Sequence, residues 1–413
     1  MVLSPDDIVI TGAGVMMPGC QDRGSFWRHL EAQASQITVE EFANGRRYPV
    51  GRCDPPEMAG NFNPGVLDRF EQLPRDIQLF AASLGSALAD AGLQRGDVSN
   101  ERSGIYSGSS RGPFLYWDST YRERLRRDAD LTFGVPGQAA AFGALLTGLT
   151  GPVHTFSNSC CSGAVAMDFA CADLLRNRVD YALVSGHEAT LCARFFSGFR
   201  EAGILAPASE DPARLYRVFR APSGVVFAEA AVTLVCERRS TAMARGARIL
   251  GTYGGYVYGN HALHPTNVDA STDRPHEMAQ QLFQQLGIGP SDVGFVIGHG
   301  NGVEASDSAE LKWMDRLFGS AKGEVPLFSI KPVVGHSIGA SSLASFLASV
   351  QISASGRVPR LTNLDVSADE AFNFGGMDIP RKNWKIGLSV SYGIGGHQAM
   401  LAVRRPAGDV ARD

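Results

Sequence analysis

The sequence lacks an uninterrupted apolar run long enough to cross a membrane, and it lacks a leader-like start. A membrane-spanning helix needs about 20 mainly apolar residues. A signal peptide places a shorter apolar stretch close to the N-terminus, whereas residues 1–7 here become polar at once. We therefore expect a protein of the cytoplasm with no membrane partner.

The sequence also lacks a large excess of positive or negative charge. It has 38 Lys and Arg residues and 42 Asp and Glu residues, which gives a net charge of −4. Nucleic-acid-binding domains carry an excess of positive charge, so no nucleic-acid partner is expected. The seven cysteines are an odd number, and two of them are adjacent, Cys160 and Cys161. The sequence has no Cys-x-x-Cys pair, which predicts reduced thiols, no disulfide framework and no metal site.

The length and composition of the chain are sufficient for a large hydrophobic core. Its 413 residues are 44% apolar and 19% charged, and this length favours two domains or two fused halves. Apolar strand-like runs alternate with helical stretches rich in Ala and Leu, which predicts an α/β fold with mainly parallel strands. The predicted strands include 8–11, 180–185, 231–236, 293–297 and 386–391, and the predicted helices include 75–91, 164–176, 276–286 and 305–318.

One cysteine, Cys160, lies between a strand-like run at 152–156 and a helical run that starts at Ala164. A thiol in this position faces the N-terminus of a helix, where unpaired N–H groups and the helix dipole favour the thiolate. Cys160 is therefore a candidate nucleophile. On this segment alone, a buried structural cysteine fits as well.

Two histidines change that balance. His299 and His336 each follow a glycine at the end of a strand-like run, and a helical run follows each of them. A single histidine in such a place is more often a hydrogen-bonded core residue than a catalyst. A thiol with two imidazoles, however, is a set suited to nucleophilic catalysis.

With these residues in place, the sequence resembles the β-ketoacyl synthases of the thiolase superfamily, in their elongating Cys-His-His type. The family's nucleophile motif falls on 158–163 and selects Cys160 over Cys161. Its remaining motifs fall on 299–303, on 306–310, on 331–340 and on 392–398. The resemblance runs from about Asp7 to Arg404.

The resemblance implies a thiolase fold, in which two duplicated β-α-β-α-β-α-β-β halves form a layered α-β-α-β-α core. The N-terminal half, 1–252, would carry the nucleophile, and the C-terminal half, 253–413, would carry both histidines. The duplication itself is not visible as similarity between the two halves of the sequence.

The resemblance also implies residue roles. Cys160 would hold the acyl group, while His299 and His336 would hold a malonyl thioester and stabilise the enolate formed as CO2 leaves. The other implied site residues are Lys331 as part of the catalytic set, Glu310 as the partner that helps to orient the histidines, Ile394 with Gly393 and Gly395 in an oxyanion and gating loop, and Asn301 and Val303 at the pantetheine-binding positions.

Three positions near the site depart from the family pattern. Asn301 and Val303 stand where the family has two threonines, and Ile394 stands where it has a gating phenylalanine. These changes favour a specialised pathway, such as a type II polyketide system with an unusual acyl chain, over ordinary fatty-acid elongation.

The resemblance implies an acyl carrier protein as partner, with substrates on its phosphopantetheine arm and no metal or redox cofactor. It further implies a two-fold dimer, either a homodimer or a heterodimer with a chain-length-factor-like partner, with residues 154–159 at the interface. The basic run formed by Arg122, Arg124, Arg126 and Arg127 is a candidate docking surface, although such runs are usually solvated faces.

Three other functions stay open. A thiolase-fold acyltransferase would transfer the acyl group of Cys160 without condensation, and the altered pantetheine positions leave room for it. A non-catalytic partner subunit would typically lack the nucleophile, which is present here. A biosynthetic thiolase needs a second cysteine near the C-terminus, whereas the last cysteine in this chain is Cys236.

Overall fold

A computed structural model describes residues 4, 7–54, 58, 62–63, 65, 73–123, 133–219, 223–266, 273–364 and 371–406. Its strands are β1 Ile8–Met16, β2 Thr38–Glu41, β3 Arg47–Gly51, β4 Ser103–Gly108, β5 Val153–Phe156, β6 Tyr181–Glu188, β7 Phe227–Ala228, β8 Ala230–Arg238, β9 Gly251–Asn260, β10 Val293–Ile297, β11 Leu327–Phe328, β12 Arg357–Val358, β13 Met377–Asp378, β14 Ile386–Gly393 and β15 His397–Arg404.

The α-helices are α1 Arg23–Glu31, α2 Arg75–Asp90, α3 Arg95–Val98, α4 Phe114–Glu123, α5 Gln138–Thr147, α6 Ser162–Leu175, α7 Ala193–Glu201, α8 Pro212–Leu215, α9 Arg239–Ala244, α10 Arg274–Leu286, α11 Glu304–Phe318, α12 Lys331–Val334 and α13 Ser341–Ser355. Short 3-10 helices cover Pro290–Asp292, Gly319–Glu324 and Ile338–Ala340. Each strand and helix named in the sequence analysis is confirmed, with ends that differ by a few residues.

Ten strands form one sheet, in the order β11-β10-β14-β15-β9-β1-β8-β6-β4-β5. Counted within its own half, each set of five lies in the order third, second, fourth, fifth, first. The second strand pairs in parallel with the third and the fourth, and the other pairs are antiparallel, in both halves alike. The duplicated halves expected from the resemblance are therefore confirmed by their topology.

The two halves join where β1 pairs antiparallel with β9, through Val9 with Thr252 and Ile10 with Gly251. The proposed division of the chain after residue 252 falls inside β9 and stays a prediction.

Helices fill the layers on either side of this sheet. The helices α6 and α13 lie between the two halves, where α6 packs on β4 and β6 and α13 packs on β14 and β15. They touch closely, because the backbone N–H of Ala164 donates to Ser342 Oγ at 3.0 Å. The outer layers are α2 with α5 on one side and α10 with α11 on the other, which gives the expected α-β-α-β-α order.

The helical segment Ile338–Ser355 is long and apolar enough to span a membrane by length and composition alone, with a mean hydropathy of 1.2. Small polar residues divide it, so it is not an uninterrupted apolar run in the sequence. In the structure 89% of this segment is buried inside the protein. A helix that is apolar on all sides is expected in the centre of a large core, and this segment is the central helix.

The duplication also decides where the candidate site lies. Cys160 follows the third strand of the first half and precedes α6, while His336 follows the third strand of the second half and precedes α13. Because α6 and α13 pack against each other, these two equivalent turns meet between the halves.

Candidate active site

Cys160 lies in a tight turn directly before α6. The preceding residue, Ser159, has a φ of +54°, in the left-handed region that side chains other than glycine rarely adopt. Cys160 is 7% exposed, whereas the neighbouring Cys161 is fully buried and its Sγ lies 3.4 Å from the carbonyl of Ser391. The two thiols therefore face different surroundings, as the choice of Cys160 over Cys161 requires.

The predicted catalytic side chains come together around this thiol. Cys160 Sγ lies 3.2 Å from Nε2 of His336, within hydrogen-bond reach for sulfur. The rings of His336 and His299 are nearly perpendicular, with centroids 5.3 Å apart. A nucleophile in contact with one imidazole and close to a second is thus present in a single place.

The main chain fixes the His299 ring. The backbone N–H of Tyr392 donates to His299 Nδ1 at 3.3 Å, so that the ring proton is placed on Nε2. Nδ1 of His336 is buried without a hydrogen-bond partner in the described part of the chain. The two histidines therefore differ in their surroundings, which suits them to different tasks.

Lys331 and Glu310 reach the main chain of His299 rather than its ring. The Lys331 ammonium donates to the His299 carbonyl oxygen, and Glu310 accepts the backbone N–H of His299 at 2.8 Å and that of Gly300 at 2.9 Å. Burial lowers the pKa of Lys331 to about 8 and raises that of Glu310 to about 7. These contacts fit a pair that orients the histidine, and this role stays a prediction.

A cavity of about 630 Å³ opens beside the three side chains. Of the predicted site residues, those that line it are Cys160, His299, His336, Asn301, Val303, Gly393 and Ile394. Lys331, Glu310 and Gly395 lie outside its lining. Val303 packs against the apolar cluster that includes Phe195 and Phe227, so an apolar residue is accommodated at a position where the family has a hydroxyl.

Much of this lining was not predicted from the sequence. Four phenylalanines line the cavity, Phe114, Phe195, Phe199 and Phe227, here named the aromatic wall, with Arg111 beside Phe199. The four phenylalanines come from three separate segments, so no local pattern in the sequence marks them as a group. Ser306 also lines the cavity, and its hydroxyl is buried without a partner among the described residues.

Burial decides the charge state of the nucleophile. The helix N-terminus was expected to favour a thiolate, but burial raises the pKa of the Cys160 thiol to about 11. Burial together with the charge of Lys331 also lowers the pKa of His299 and His336 well below the usual range. The resting site is therefore a neutral thiol beside neutral imidazoles.

This charge state predicts the pH dependence of alkylation. Because the raised pKa keeps the thiol protonated, the thiolate fraction grows about tenfold per pH unit between about pH 7 and pH 10. The rate at which iodoacetamide modifies Cys160, followed by peptide mass spectrometry, is expected to grow in proportion. A rate that reaches its plateau below about pH 8 would instead show a stable thiolate–imidazolium pair.

Close backbone packing holds the nucleophile turn in place. Gly108, at the end of β4, touches the start of α6, and a Cβ there would lie 2.5 Å from the backbone nitrogen of Gly163. We expect Gly108→Ala to destabilise the protein by about 1–3 kcal/mol and to slow acylation of Cys160. Urea unfolding and acylation rates check this, with Gly96→Ala as control, since a Cβ at Gly96 meets nothing within 4 Å. Equal behaviour of the two variants would contradict the argument.

Two predictions concern features beyond this cavity. The candidate docking run for the carrier protein lies outside the described part of the structure. This holds for Arg124, Arg126 and Arg127 and for the side chain of Arg122. Within the part of the chain that the structure describes, no three His, Cys, Asp or Glu side chains cluster so as to hold a metal ion.

The chain has two duplicated halves, and they contribute a cysteine and a pair of histidines to one shared cavity. This arrangement places the chain among enzymes of the thiolase fold. Residues 5–242 match the family model described as beta-ketoacyl synthase, N-terminal domain, and residues 250–365 match the corresponding C-terminal domain. The chain belongs to the β-ketoacyl synthase family, whose members are acyltransferases.

Two relatives can be aligned with this chain over nearly its whole length. The chain is 28% identical to 3-oxoacyl-[acyl-carrier-protein] synthase 2 of Rhizobium meliloti, over 97% of this chain and 99% of that protein. It is 25% identical to the ketoacyl synthase alpha subunit of the tetracenomycin polyketide synthase of Streptomyces glaucescens, over 97% of each.

Solved structures show the same fold. A type II polyketide ketosynthase in complex with its acyl-carrier protein matches with a TM-score of 0.86 at 21% identity, over 98% of this chain and 100% of that one. The ishigamide ketosynthase/chain length factor matches with a TM-score of 0.83 at 22% identity, over 98% and 100%.

Proposed function

We propose that this enzyme condenses an acyl group held on Cys160 with a malonyl thioester, and that an acyl carrier protein delivers both substrates. The contact of 3.2 Å between Cys160 Sγ and His336 Nε2, with His299 in the same cavity, carries this proposal. The names of the relatives support it, because they include a 3-oxoacyl-carrier-protein synthase and a polyketide ketoacyl synthase.

In the first half-reaction, Cys160 Sγ attacks the thioester carbonyl of the acyl substrate while His336 Nε2 takes the thiol proton. The backbone N–H groups of Cys160 and Ile394 stabilise the oxyanion. The carrier thiol then leaves with that proton, and the acyl group remains on Cys160. A neutral thiol–imidazole pair suits this step because the proton moves only when the substrate is in place.

In the second half-reaction, the malonyl thioester enters with its carbonyl oxygen toward His299. The proton on His299 Nε2, placed there by the Tyr392 N–H, donates a hydrogen bond to that oxygen. The bond to the carboxylate breaks and CO2 leaves, and the enolate carbon attacks the acyl carbonyl on Cys160. The Cys160 thiolate is released and takes up one proton from solvent to restore the neutral thiol, and a 3-oxoacyl chain two carbons longer remains on the carrier. Since the electrons for the new bond come from the bond to CO2, the proposed reaction uses no cofactor.

The setting of this reaction is also proposed. Asn301, Val303 and Ile394 support a specialised chain, and we favour a polyketide pathway in the cytoplasm. A dimer through residues 154–159 is supported by β5, which is the last strand of the sheet. Exposed apolar side chains lie on and beside this edge, with Val153 37% exposed and Phe169 52% exposed. The second copy is either this chain or a chain-length-factor-like partner.

Intact-mass spectrometry of the enzyme and carrier protein tests the condensation. Acyl-carrier and malonyl-carrier substrates are mixed with the enzyme, and a carrier-bound 3-oxoacyl product is expected. An acyl-enzyme that gives no elongated product, even with a dimer partner present, would contradict condensation and favour the acyltransferase alternative.

A further inference from the structure

One cation in the cavity, Arg111, contacts an aromatic ring and forms no ion pair with a described residue. The guanidinium carbon of Arg111 lies 5.8 Å from the ring centre of Phe199, and the side chain lines the cavity that contains Cys160. Among the described residues, no carboxylate forms an ion pair with it. A guanidinium stays charged at any physiological pH, and the exposed Arg111 side chain presents this charge to the cavity that a substrate enters.

A second arginine in the same cavity behaves differently. Arg194 lies within 3.0 Å of Asp118, whose side chain is buried, and this pair neutralises its charge. The two arginines therefore form a natural comparison, because Arg194 forms an ion pair with a carboxylate, whereas Arg111 has, among the described carboxylates, only a longer-range electrostatic interaction with the buried Glu188.

The position of Arg111 is set by the fold. The fully buried carboxylate of Glu188 accepts the backbone N–H of Arg111 at 3.1 Å and that of Ser110 at 2.9 Å. The same carboxylate accepts the N–H of Gly339 at 3.1 Å, three residues after His336. One buried group thus ties the loop of Arg111 to the turn of His336, so the backbone of Arg111 is held at a defined place relative to that turn, and its side chain reaches the ring of Phe199.

The aromatic wall continues from this place to the catalytic residues. The ring centres of Phe195 and Phe199 are 4.8 Å apart, those of Phe199 and Phe227 are 4.6 Å apart, and Phe227 stacks on His336 at 6.0 Å. An acyl chain on Cys160 that lies along these rings passes beside the Arg111 guanidinium. A fully saturated chain would remove water from that cation and offer nothing in return, which is unfavourable.

We propose that Arg111 selects acyl chains that carry an acceptor oxygen beyond the thioester, either a ketone or a carboxylate. This inference deepens the proposed function, because it requires that the chain be held on Cys160. A charge-assisted hydrogen bond to such an oxygen would favour the oxygenated chain by about 10- to 100-fold over a saturated chain of equal length.

The test compares three pantetheine thioesters of equal chain length: octanoyl, 3-oxooctanoyl and suberyl. Rates of acyl-enzyme formation are measured by intact mass for the wild type, Arg111→Met, Arg111→Lys and Arg194→Met. In Arg111→Met, the preference for at least one oxygenated chain over octanoyl is expected to fall about 10- to 100-fold. Arg111→Lys should restore part of that preference, and Arg194→Met should change it by less than about threefold, since its charge is already paired.

The outcomes separate this inference from the proposed function. Loss of preference for the 3-oxooctanoyl chain alone would identify a ketone, and loss for the suberyl chain alone would identify a carboxylate. Equal slowing of all three substrates by Arg111→Met, or no change of preference, would overturn the inference. If the wild type accepts none of the thioesters, the proposed function fails first. Calorimetric titration of free suberate and 3-oxooctanoate into the wild type and Arg111→Met would still decide the role of Arg111, since equal affinities would overturn it.

Discussion

Replacing Cys160 by alanine is expected to abolish the acyl-enzyme and to lower the rate of condensation by at least about 10⁴-fold. Loss of a covalent nucleophile removes the whole two-step path and leaves only the contribution of binding and oxyanion contacts. The measurement is intact-mass detection of acyl-enzyme, together with the rate of 3-oxoacyl product formation.

The chain supplies a matched control in Cys161, which is adjacent in sequence and also buried. Its Sγ faces the carbonyl of Ser391 rather than His336. Cys161→Ala removes one buried sulfur without touching the thiol–imidazole contact, so an acyl-enzyme should still form. If Cys161→Ala abolishes acylation and Cys160→Ala does not, the assignment of the nucleophile is wrong.

Alanine variants of the two histidines are expected to be impaired in different half-reactions. His336 contacts the thiol, so His336→Ala should slow acylation of Cys160 by about 10²- to 10⁴-fold, the usual effect of losing a general base. His299 has its ring proton directed by the Tyr392 N–H, so His299→Ala should leave acylation largely intact. It should lower decarboxylation and condensation by about 10²- to 10³-fold, as expected for loss of an oxyanion donor.

Stopped-flow acylation and CO2 release measured on the same samples distinguish these effects. Thermal unfolding of both variants serves as the control for folding, because both rings are buried. Equal losses in both half-reactions for both variants would show that the two imidazoles act as a single unit, contrary to the division of roles proposed above.

The sequence was sufficient for the fold class, and local patterns were enough to name candidate reactive side chains, whose roles stay predictions. Alternating strand-like and helical runs gave the α/β class, and glycines beside His299 and His336 marked the turns that carry them. The resemblance then supplied the duplication and selected Cys160. The structure adds the contact of Cys160 with His336, which brings together residues 176 positions apart in the chain.

What the sequence could not predict depends on tertiary packing. Arg111 is unremarkable in the sequence, and only its place beside Phe199 and the absence of an ion pair among the described residues make it a candidate for substrate selection. The predicted direction of the pKa shift of Cys160 was also wrong, since a lowered pKa was expected and burial raises it. The helix N-terminus is a local feature that the sequence reveals, whereas the burial that outweighs it comes from segments far apart in the chain.

The repeated strand order gives the enzyme two corresponding turns after the second strand of each half. The turn after β10 holds His299, and the turn after β4 holds Arg111. Both face the one cavity, although they belong to separate copies of the same five-stranded unit. The two corresponding turns thus carry different side chains, one for the proposed decarboxylation and the other for the proposed discrimination between acyl chains. A change confined to the Arg111 side chain would alter selectivity and leave in place the backbone bonds through which Glu188 joins this turn to that of His336.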